Sequence, residues 1–352
     1  MIIEKYDLAS KLAKVKLAMP DKKSPGGVRG VLIKNGRAIA SNSEIRISAV
    51  LPDAPADEKP FILTSQAIEM IESLPDGEIE IVETGLSIYI NSGTIKNKYT
   101  KLDSNDIYDP EVPPNADCNV KINSQKLAAL VSSVMYAASV DATRPLYTGV
   151  LLEAKDGRLN AVALDGFRAA WNKTEYDGDF KLIIPRASIE KFLKLKIEGD
   201  IEISACQNSA LFSAAEYAVY TRLLAGEFMD YKTALPTHEN RIDVDRKTLL
   251  DCMARVKLCS DGTATMPVVF TLDDGVLTIS IRTAIADYSE EISVDGDADL
   301  KLKIGFNSRY LTEALKSIEG ETATIAFGTG TQPIVLENGN MRCMILPVRL
   351  KE

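Results

Sequence analysis

The sequence predicts an α+β fold built from three repeated domains, each with two helices packed on antiparallel sheets. Three observations predict it. An amphipathic helical stripe recurs about every 120 residues. A second helix type, followed by a glycine turn and an alternating strand, recurs at the same spacing. Asp-Gly and Asn-Gly dipeptides punctuate the alternating segments in between.

The first helix type opens with YDLASKLAKVKLAM at 6–19. Its second copy, SQKLAALVSSVMYAAS at 124–139, puts Leu127, Leu130, Val131, Val134 and Met135 on one stripe. Its third, DRKTLLDCMARVKLCS at 245–260, does the same with Leu249, Leu250, Met253 and Val256. The second helix type begins at 64, 185 and 307, starts that lie 121 and 122 residues apart. Thr64 and Asn307 are suited to cap their helices, and Pro185 to a first-turn position.

Strands fill the remainder. GVLI at 30–33 resembles GVLLEA at 149–154, and DGRLNAVALDG at 156–166 resembles DGVLTISIRT at 274–283. Asp-Gly begins at Asp76, Asp156, Asp165, Asp177, Asp261, Asp274 and Asp295, and Asn-Gly at Asn35 and Asn338; all are hairpin signals. The unit is two helices and roughly eight short strands. Its three copies are expected at 1–116, 117–240 and 241–352.

Length and composition agree. At 352 residues, 45% apolar and 26% charged, the chain suits two or three folded soluble domains. A net charge of −9 repels nucleic acid at long range, so any nucleic-acid role rests on segregated basic patches. The N-terminal stretch MIIEKYDLASKLAKV lacks the apolar run of a signal peptide. No window approaches the roughly 18 apolar residues of a membrane span. Cys118, Cys206, Cys252, Cys259 and Cys343 are scattered without CxxC spacing and read as reduced thiols of a cytoplasmic protein.

Enzyme chemistry is not expected. The one histidine, His238, leaves no His-based metal site or triad, and no GxxxxGK[ST], GxGxxG or GxSxG string occurs. GTGT at 328–331 sits between strands and reads as a hairpin, and Asp273 and Asp274 share a turn with Gly275. Neither a metal nor another cofactor is called for.

Five ordered segments carry a family resemblance. They are TRPLYTGVLLE (143–153), ALDGFRAA (163–170), RLLAGEFMDYKTALP (222–236), IGFNSRYLTEAL (304–315) and the terminal ILPVRLKE (345–352). Together they resemble the bacterial beta sliding clamp family, the processivity factors of DNA polymerase. The resemblance implies two three-domain chains joined head to tail into a ring around duplex DNA, with helices lining the channel. It implies partners as well: double-stranded DNA bound without sequence preference, and polymerase and clamp-loader subunits bound through short hydrophobic peptides. The protein is then a cytoplasmic, nucleoid-associated homodimer with no membrane attachment.

The implied peptide cleft consists of Tyr147, Leu164, Gly166, Phe167, Arg168, Ala169, Met229, Thr233, Ala234, Pro333, Met344, Ile345, Leu346, Pro347, Val348, Arg349 and Leu350. Phe167 stands where the family has His, Met229 where it has Pro and Ala169 where it has Leu; Lys351 and Glu352 extend past the usual end. By repeat position, Ile68, Met70, Ile71 and Leu74 of the first domain meet Leu258 and Cys259 of the third across the dimer interface; for Ile68 and Ile71 a place in the core fits the pattern equally well.

The charge pattern suits a channel. Lys14, Lys22, Lys23, Arg144, Arg186, Lys191, Lys194, Arg246, Lys247, Arg255 and Lys257 fall on or beside the expected inward helices. Acids gather in other loops: Asp53, Asp57 and Glu58; Asp103, Asp106, Asp109 and Glu111; Asp295, Asp297 and Asp299. The second helix of the first domain is acidic, with Glu69, Glu72 and Asp76. Two alternatives stay open, a clamp-like peptide scaffold that does not encircle DNA and a phage- or plasmid-encoded clamp.

Overall fold

The same strand order is laid down three times along the chain. In a computed structural model the described residues are 1–21, 28–52, 54–55, 59–110, 116–259, 267–297 and 300–350. Lys22, Lys23, Asp53, Asp57, Glu58, Glu111, Asp261, Asp299, Lys351 and Glu352 lie outside them. The helices are α1 (Lys5–Val15), α2 (Ser65–Ser73), α3 (Ser124–Val134), α4 (Arg186–Leu195), a short α5 (Tyr231–Ala234), α6 (Arg246–Leu258) and α7 (Ser308–Ser317).

Each third of the chain forms two groups of four antiparallel strands. In the first third, Ile2–Glu4 joins Glu78–Thr84, Ser87–Ser92 and Ile95–Thr100, while Phe61–Thr64 joins Gly30–Lys34, Arg37–Ser41 and Ile45–Val50. In the second, the corresponding groups are Cys118–Asn123 with Asp200–Cys206, Ser209–Ser213 and Tyr217–Arg222, and Phe180–Pro185 with Gly149–Lys155, Arg158–Leu164 and Arg168–Glu175. In the last, they are Asn240–Asp245 with Thr322–Phe327, Ile334–Asn338 and Met341–Ile345, and Leu302–Phe306 with Val268–Asp273, Val276–Arg282 and Asp287–Ser293.

The groups do not stay within their thirds. The chain divides into two compact units, one of Met1–Leu127 with Ala187–Leu223, the other of Ala128–Arg186 with Leu224–Glu352. The middle third gives one group to each. In the first unit Ile45–Val50 pairs with Tyr217–Arg222, making an eight-stranded sheet. In the second unit Arg168–Glu175 pairs with Met341–Ile345, making a nine-stranded sheet that ends on Asp295–Gly296. Each unit also holds a four-stranded sheet, edged by Ile95–Thr100 in the first and by Asp287–Ser293 in the second.

Apolar periodicity explains the helices. Leu8, Leu12 and Val15 of α1 are buried, as are Leu127, Leu130, Val131 and Val134 of α3 and Leu249, Cys252, Met253 and Val256 of α6. Burying each large side chain contributes about 1.5–3 kcal/mol. Met135 and Leu250, expected on these stripes, are only half-buried; Met135 falls in the tighter turn Met135–Ala137 that follows α3. Thr64 caps α2 by accepting from the Ala67 N–H (3.3 Å), and Asn307 caps α7 by accepting from that of Arg309 (3.0 Å). Pro185 sits one residue before its expected place, closing the strand that leads into α4.

Only some of the Asx-Gly dipeptides make two-residue hairpins. Asn35–Gly36, Asp156–Gly157 and Asp274–Gly275 have positive φ at both residues, which suits the twist of the flanking strands. Asp76–Gly77 instead connects α2 to a strand, and Asp295–Gly296 is itself an edge strand. The shared GVL entry also has a steric cause. A Cβ on Gly30 would lie 2.6 Å from Ile62 Cγ2 and 2.8 Å from the Leu63 carbonyl oxygen; one on Gly149 would lie 2.7 Å from Leu224 Cδ1 and 2.9 Å from the Ile184 oxygen. Gly30→Ala is therefore expected to destabilise the first unit by about 1–3 kcal/mol, read as a lower denaturant midpoint.

Candidate partner-binding cleft and charged surfaces

One face of the nine-stranded sheet carries an apolar strip. Successive residues of a strand point to opposite faces, so side chains meet in rows across the register. One row runs Leu164, Ala169, Met344, Val335, and the next runs Leu151, Val162, Trp171. Leu146, Tyr147, Leu224, Phe228 and Tyr231 pack against these rows. The Tyr147 ring meets Phe228 edge-on at 6.3 Å, and Trp171 meets Tyr231 edge-on at 5.2 Å. The Tyr231 hydroxyl donates to Glu153 (2.7 Å), and burial together with this bond raises the phenol's pKa.

The expected cleft residues divide by strand parity. Tyr147, Leu164, Ala169 and Met344 belong to the apolar cluster. Arg168 and Ile345 pair with each other in register and face the opposite side, toward the helices, where they are 5% and 1% exposed. They do not line the strip. Phe167 is 61% exposed at the tip of the Asp165–Arg168 turn, and its carbonyl accepts from the Leu346 N–H (2.9 Å). Gly166 has φ +91° there, a region that favours glycine. Leu346, Pro347 and Leu350 are half-buried, whereas Val348 and Arg349 are exposed. Pro333 is half-buried, and its carbonyl meets His238 Nε2 at 2.7 Å.

In the GEFMDYKTA stretch, Met229, Thr233 and Ala234 are exposed, and it is Phe228 and Tyr231 that reach the cluster. Trp171, Phe228 and Tyr231 were not anticipated. The alternation of strand 168–175 was the available signal for Trp171, two positions beyond Ala169.

Several expected DNA-binding cations are engaged internally. Lys14 Nζ donates to the Lys194 and Leu195 carbonyls (3.1 and 2.7 Å), capping the C-terminus of α4, and burial lowers its pKa. Arg246 caps α7 in the same way through the carbonyls of Gly320 (2.6 Å) and Leu315 (3.3 Å). Arg255 grips Glu290 with two nitrogens (2.7 and 2.6 Å); this arginine and the Tyr288 hydroxyl hold the Glu290 carboxyl at about 2. Arg186 reaches the Ala138 carbonyl at 3.4 Å. Lys191 is half-buried facing Glu44 and Asp21, and its pKa is lowered by burial. Arg144, Lys194, Lys247 and Lys257 are exposed, joined by Lys126 on α3 and Lys316 on α7, which the sequence reading passed over.

The expected dimer contacts also separate. Ile68, Ile71 and Leu74 are buried in the first unit's own core, leaving Met70 half-exposed on α2. In the second unit Leu258 is 82% exposed and Cys259 half-buried. Thr283 donates to the Cys259 carbonyl (3.0 Å), which brings exposed Ile285 to the same end of the unit.

Six four-strand groups in one repeated order, with an apolar strip beside a sheet joint, define the class of multi-domain replication clamps. Residues 121–230 match the central domain of the DNA polymerase III beta subunit and residues 232–349 its C-terminal domain, together nearly two thirds of the chain. The beta sliding clamp of Halalkalibacterium halodurans is 28% identical over 84% of this chain and 83% of its own length. That of Rickettsia bellii is 24% identical over 99% and 95%. Among solved structures, a putative DNA polymerase III beta subunit from Eubacterium rectale has a TM-score of 0.92 at 21% identity, covering 99% of both chains. A Pseudomonas aeruginosa sliding clamp bound to griselimycin has 0.91 at 23%, also covering 99% of both. The chain belongs to the bacterial beta sliding clamp family, as a divergent member. The family is that of the non-catalytic processivity subunits of DNA polymerase III.

The placement of the cations makes a direct prediction. Lys247→Ala is expected to lower the slope of log K against log salt for DNA binding by about 0.9. Lys14→Ala is expected to leave that slope unchanged and to lower the thermal midpoint.

Proposed function

We propose that two copies of this chain close head to tail around duplex DNA and hold polymerase and clamp-loader subunits by short hydrophobic peptides laid in the apolar strip. The pattern of strand edges carries this reading. Inside the chain, the last strand of one group pairs with the last strand of a group from the following third: Ile45–Val50 with Tyr217–Arg222, and Arg168–Glu175 with Met341–Ile345. The same rule leaves Asp287–Ser293 and Ile95–Thr100 as the next pair, and each is a free edge of its sheet. Only a second copy can supply the partner in a closed two-chain ring.

Charge supports the match. Ile95–Thr100 presents exposed Lys96 and Lys98, while Asp287–Ser293 presents exposed Asp287 and Glu291. Opposite charges across a strand pair favour it, and like charges on either edge disfavour self-pairing. Exposed Leu258 and Ile285 flank the acidic edge with apolar surface. In this reading the three domains follow the three sets of strands, with the third beginning at Asn240, where its first strand starts. The working place is the cytoplasm, at the nucleoid. Among the described residues no helix is long and apolar enough to cross a membrane.

The DNA contact rests on scattered exposed helix lysines, so it is loose and electrostatic, as sliding requires. A second reading, a peptide scaffold that does not encircle DNA, draws on the −9 net charge and on Glu69 and Glu72 of α2. Retention separates the two: a loaded ring stays on circular DNA and leaves after linearisation, whereas a scaffold treats both alike.

Lys96→Glu with Lys98→Glu is expected to shift the mass seen by light scattering from dimer toward monomer and to abolish that retention. A dimer that persists unchanged would remove the edge pairing. For the strip, Met344→Asp with Leu346→Asp is expected to abolish binding of a partner peptide in fluorescence anisotropy while the dimer persists. Trp171 is the only tryptophan, so its emission should shift when peptide binds to the wild-type protein and stay constant in that variant.

A further inference from the structure

We propose that Arg168 is a positioning residue of the cleft: it touches no peptide, but locks the turn bearing Phe167, and through it the C-terminal segment, onto α7. The inference rests on the cleft reading above. Arg168 begins its strand with the side chain turned away from the apolar strip and is 5% exposed. Its Nε donates to Asp165 Oδ2 (3.0 Å) and its Nη2 to the Tyr136 carbonyl (2.8 Å), while Nη1 donates to Glu313 of α7. The guanidinium lies over two rings, with its Cζ 4.4 Å from the Tyr310 centroid and 5.3 Å from that of Tyr136. A planar fork with five donors matches this enclosure, and an ammonium does not.

The network reaches the strip through main-chain bonds. Asp165 Oδ1 accepts from the N–H groups of Phe167 (2.9 Å) and Arg168 (3.1 Å), which fixes the turn. The Phe167 carbonyl then holds the Leu346 N–H. One guanidinium thus links a helix, a turn and the tail that form one end of the cleft.

The first unit supplies an internal control. The equivalent turn uses Asn42, whose Oδ1 accepts from the N–H groups of Glu44 (2.9 Å) and Ile45 (3.0 Å). Ile45 stands in the place of Arg168, 1% exposed and paired into the neighbouring strand. An aliphatic side chain therefore suffices to build this turn and this sheet joint. A buried guanidinium is no better for stability than well-packed apolar groups, so its presence beside the apolar strip needs another cause. Without it, Asp165 and Glu313 face each other as partly buried carboxylates, and their repulsion pushes the turn off α7.

The test uses the full-length dimer, a fluorescent partner peptide and three variants. Arg168→Ala is expected to weaken peptide binding roughly tenfold, as deletion of a shared network member does, and Arg168→Lys to recover only part of it. Millimolar methylguanidinium should restore binding to Arg168→Ala by filling the place vacated beside the two rings; urea at the same concentration should not. Neither solute should rescue Met344→Asp with Leu346→Asp. If Arg168→Ala does not fold, Glu313→Gln in the folded dimer carries the test, with a smaller loss of affinity expected. Unchanged affinity in Arg168→Ala, or in Glu313→Gln where that stands in, alongside loss in the Met344/Leu346 variant overturns the positioning role and leaves the cleft intact. A loss in Arg168→Ala that methylguanidinium cannot repair also overturns it. Unchanged affinity in the Met344/Leu346 variant removes the cleft itself.

Discussion

Main-chain pairing between the last strands of neighbouring groups is the constraint on which this molecule depends. Ile45–Val50 against Tyr217–Arg222 and Arg168–Glu175 against Met341–Ile345 turn separate four-strand groups into sheets of eight and nine strands. A free strand edge is a row of unsatisfied donors and acceptors that invites another strand. Within the chain that invitation is answered twice. The joint in the second unit also sets the register of the apolar strip, because it brings Met344 beside Ala169 and places Trp171 opposite Arg342. Sheet extension and the apolar strip are consequences of one set of hydrogen bonds.

Strand parity then sorts function within a few residues. Met344 faces the strip and Ile345 the helices; Ala169 faces the strip and Arg168 the helices. A contiguous motif in a strand cannot be read as a contiguous surface. The same holds for charge on the helices. Lys14, Arg246 and Arg255 look from composition like phosphate ligands, yet their nitrogens are occupied by carbonyls at helix ends or by a carboxylate. What remains exposed on the helices is a thinner set of lysines, which suits the loose DNA contact proposed above.

The helices, their caps and the threefold order were legible because they depend on local periodicity and on side chains within four residues. Thr64 and Asn307 cap where the sequence places them. Hairpins were legible only where a strand both preceded and followed the dipeptide, as at Asn35 and Asp156, and not at Asp76, which follows a helix. The rest was hidden by distance along the chain. Lys14 meets carbonyls of residues 194 and 195, and Arg168 meets Glu313; no local pattern encodes either meeting. Ile68 and Ile71, for which the sequence left interface and core equally open, lie in the core; an apolar stripe on a helix has the same appearance in both settings. Trp171 lies one residue past the motif ALDGFRAA, and Phe228 stands inside the stretch 222–236, where no local pattern tells which side chains turn to the sheet.

The two free edges differ in sign, lysine-bearing on one and acidic on the other. An assembly joined by unlike edges has polarity: every chain runs the same way around it, and no symmetry operation exchanges its two faces. A ring closed through these edges is a washer with a front and a back. Any enzyme that mounts it from the front meets a fixed direction along the DNA threaded through it. In the proposed ring, orientation is thereby written into the sign of a few side chains on two edge strands.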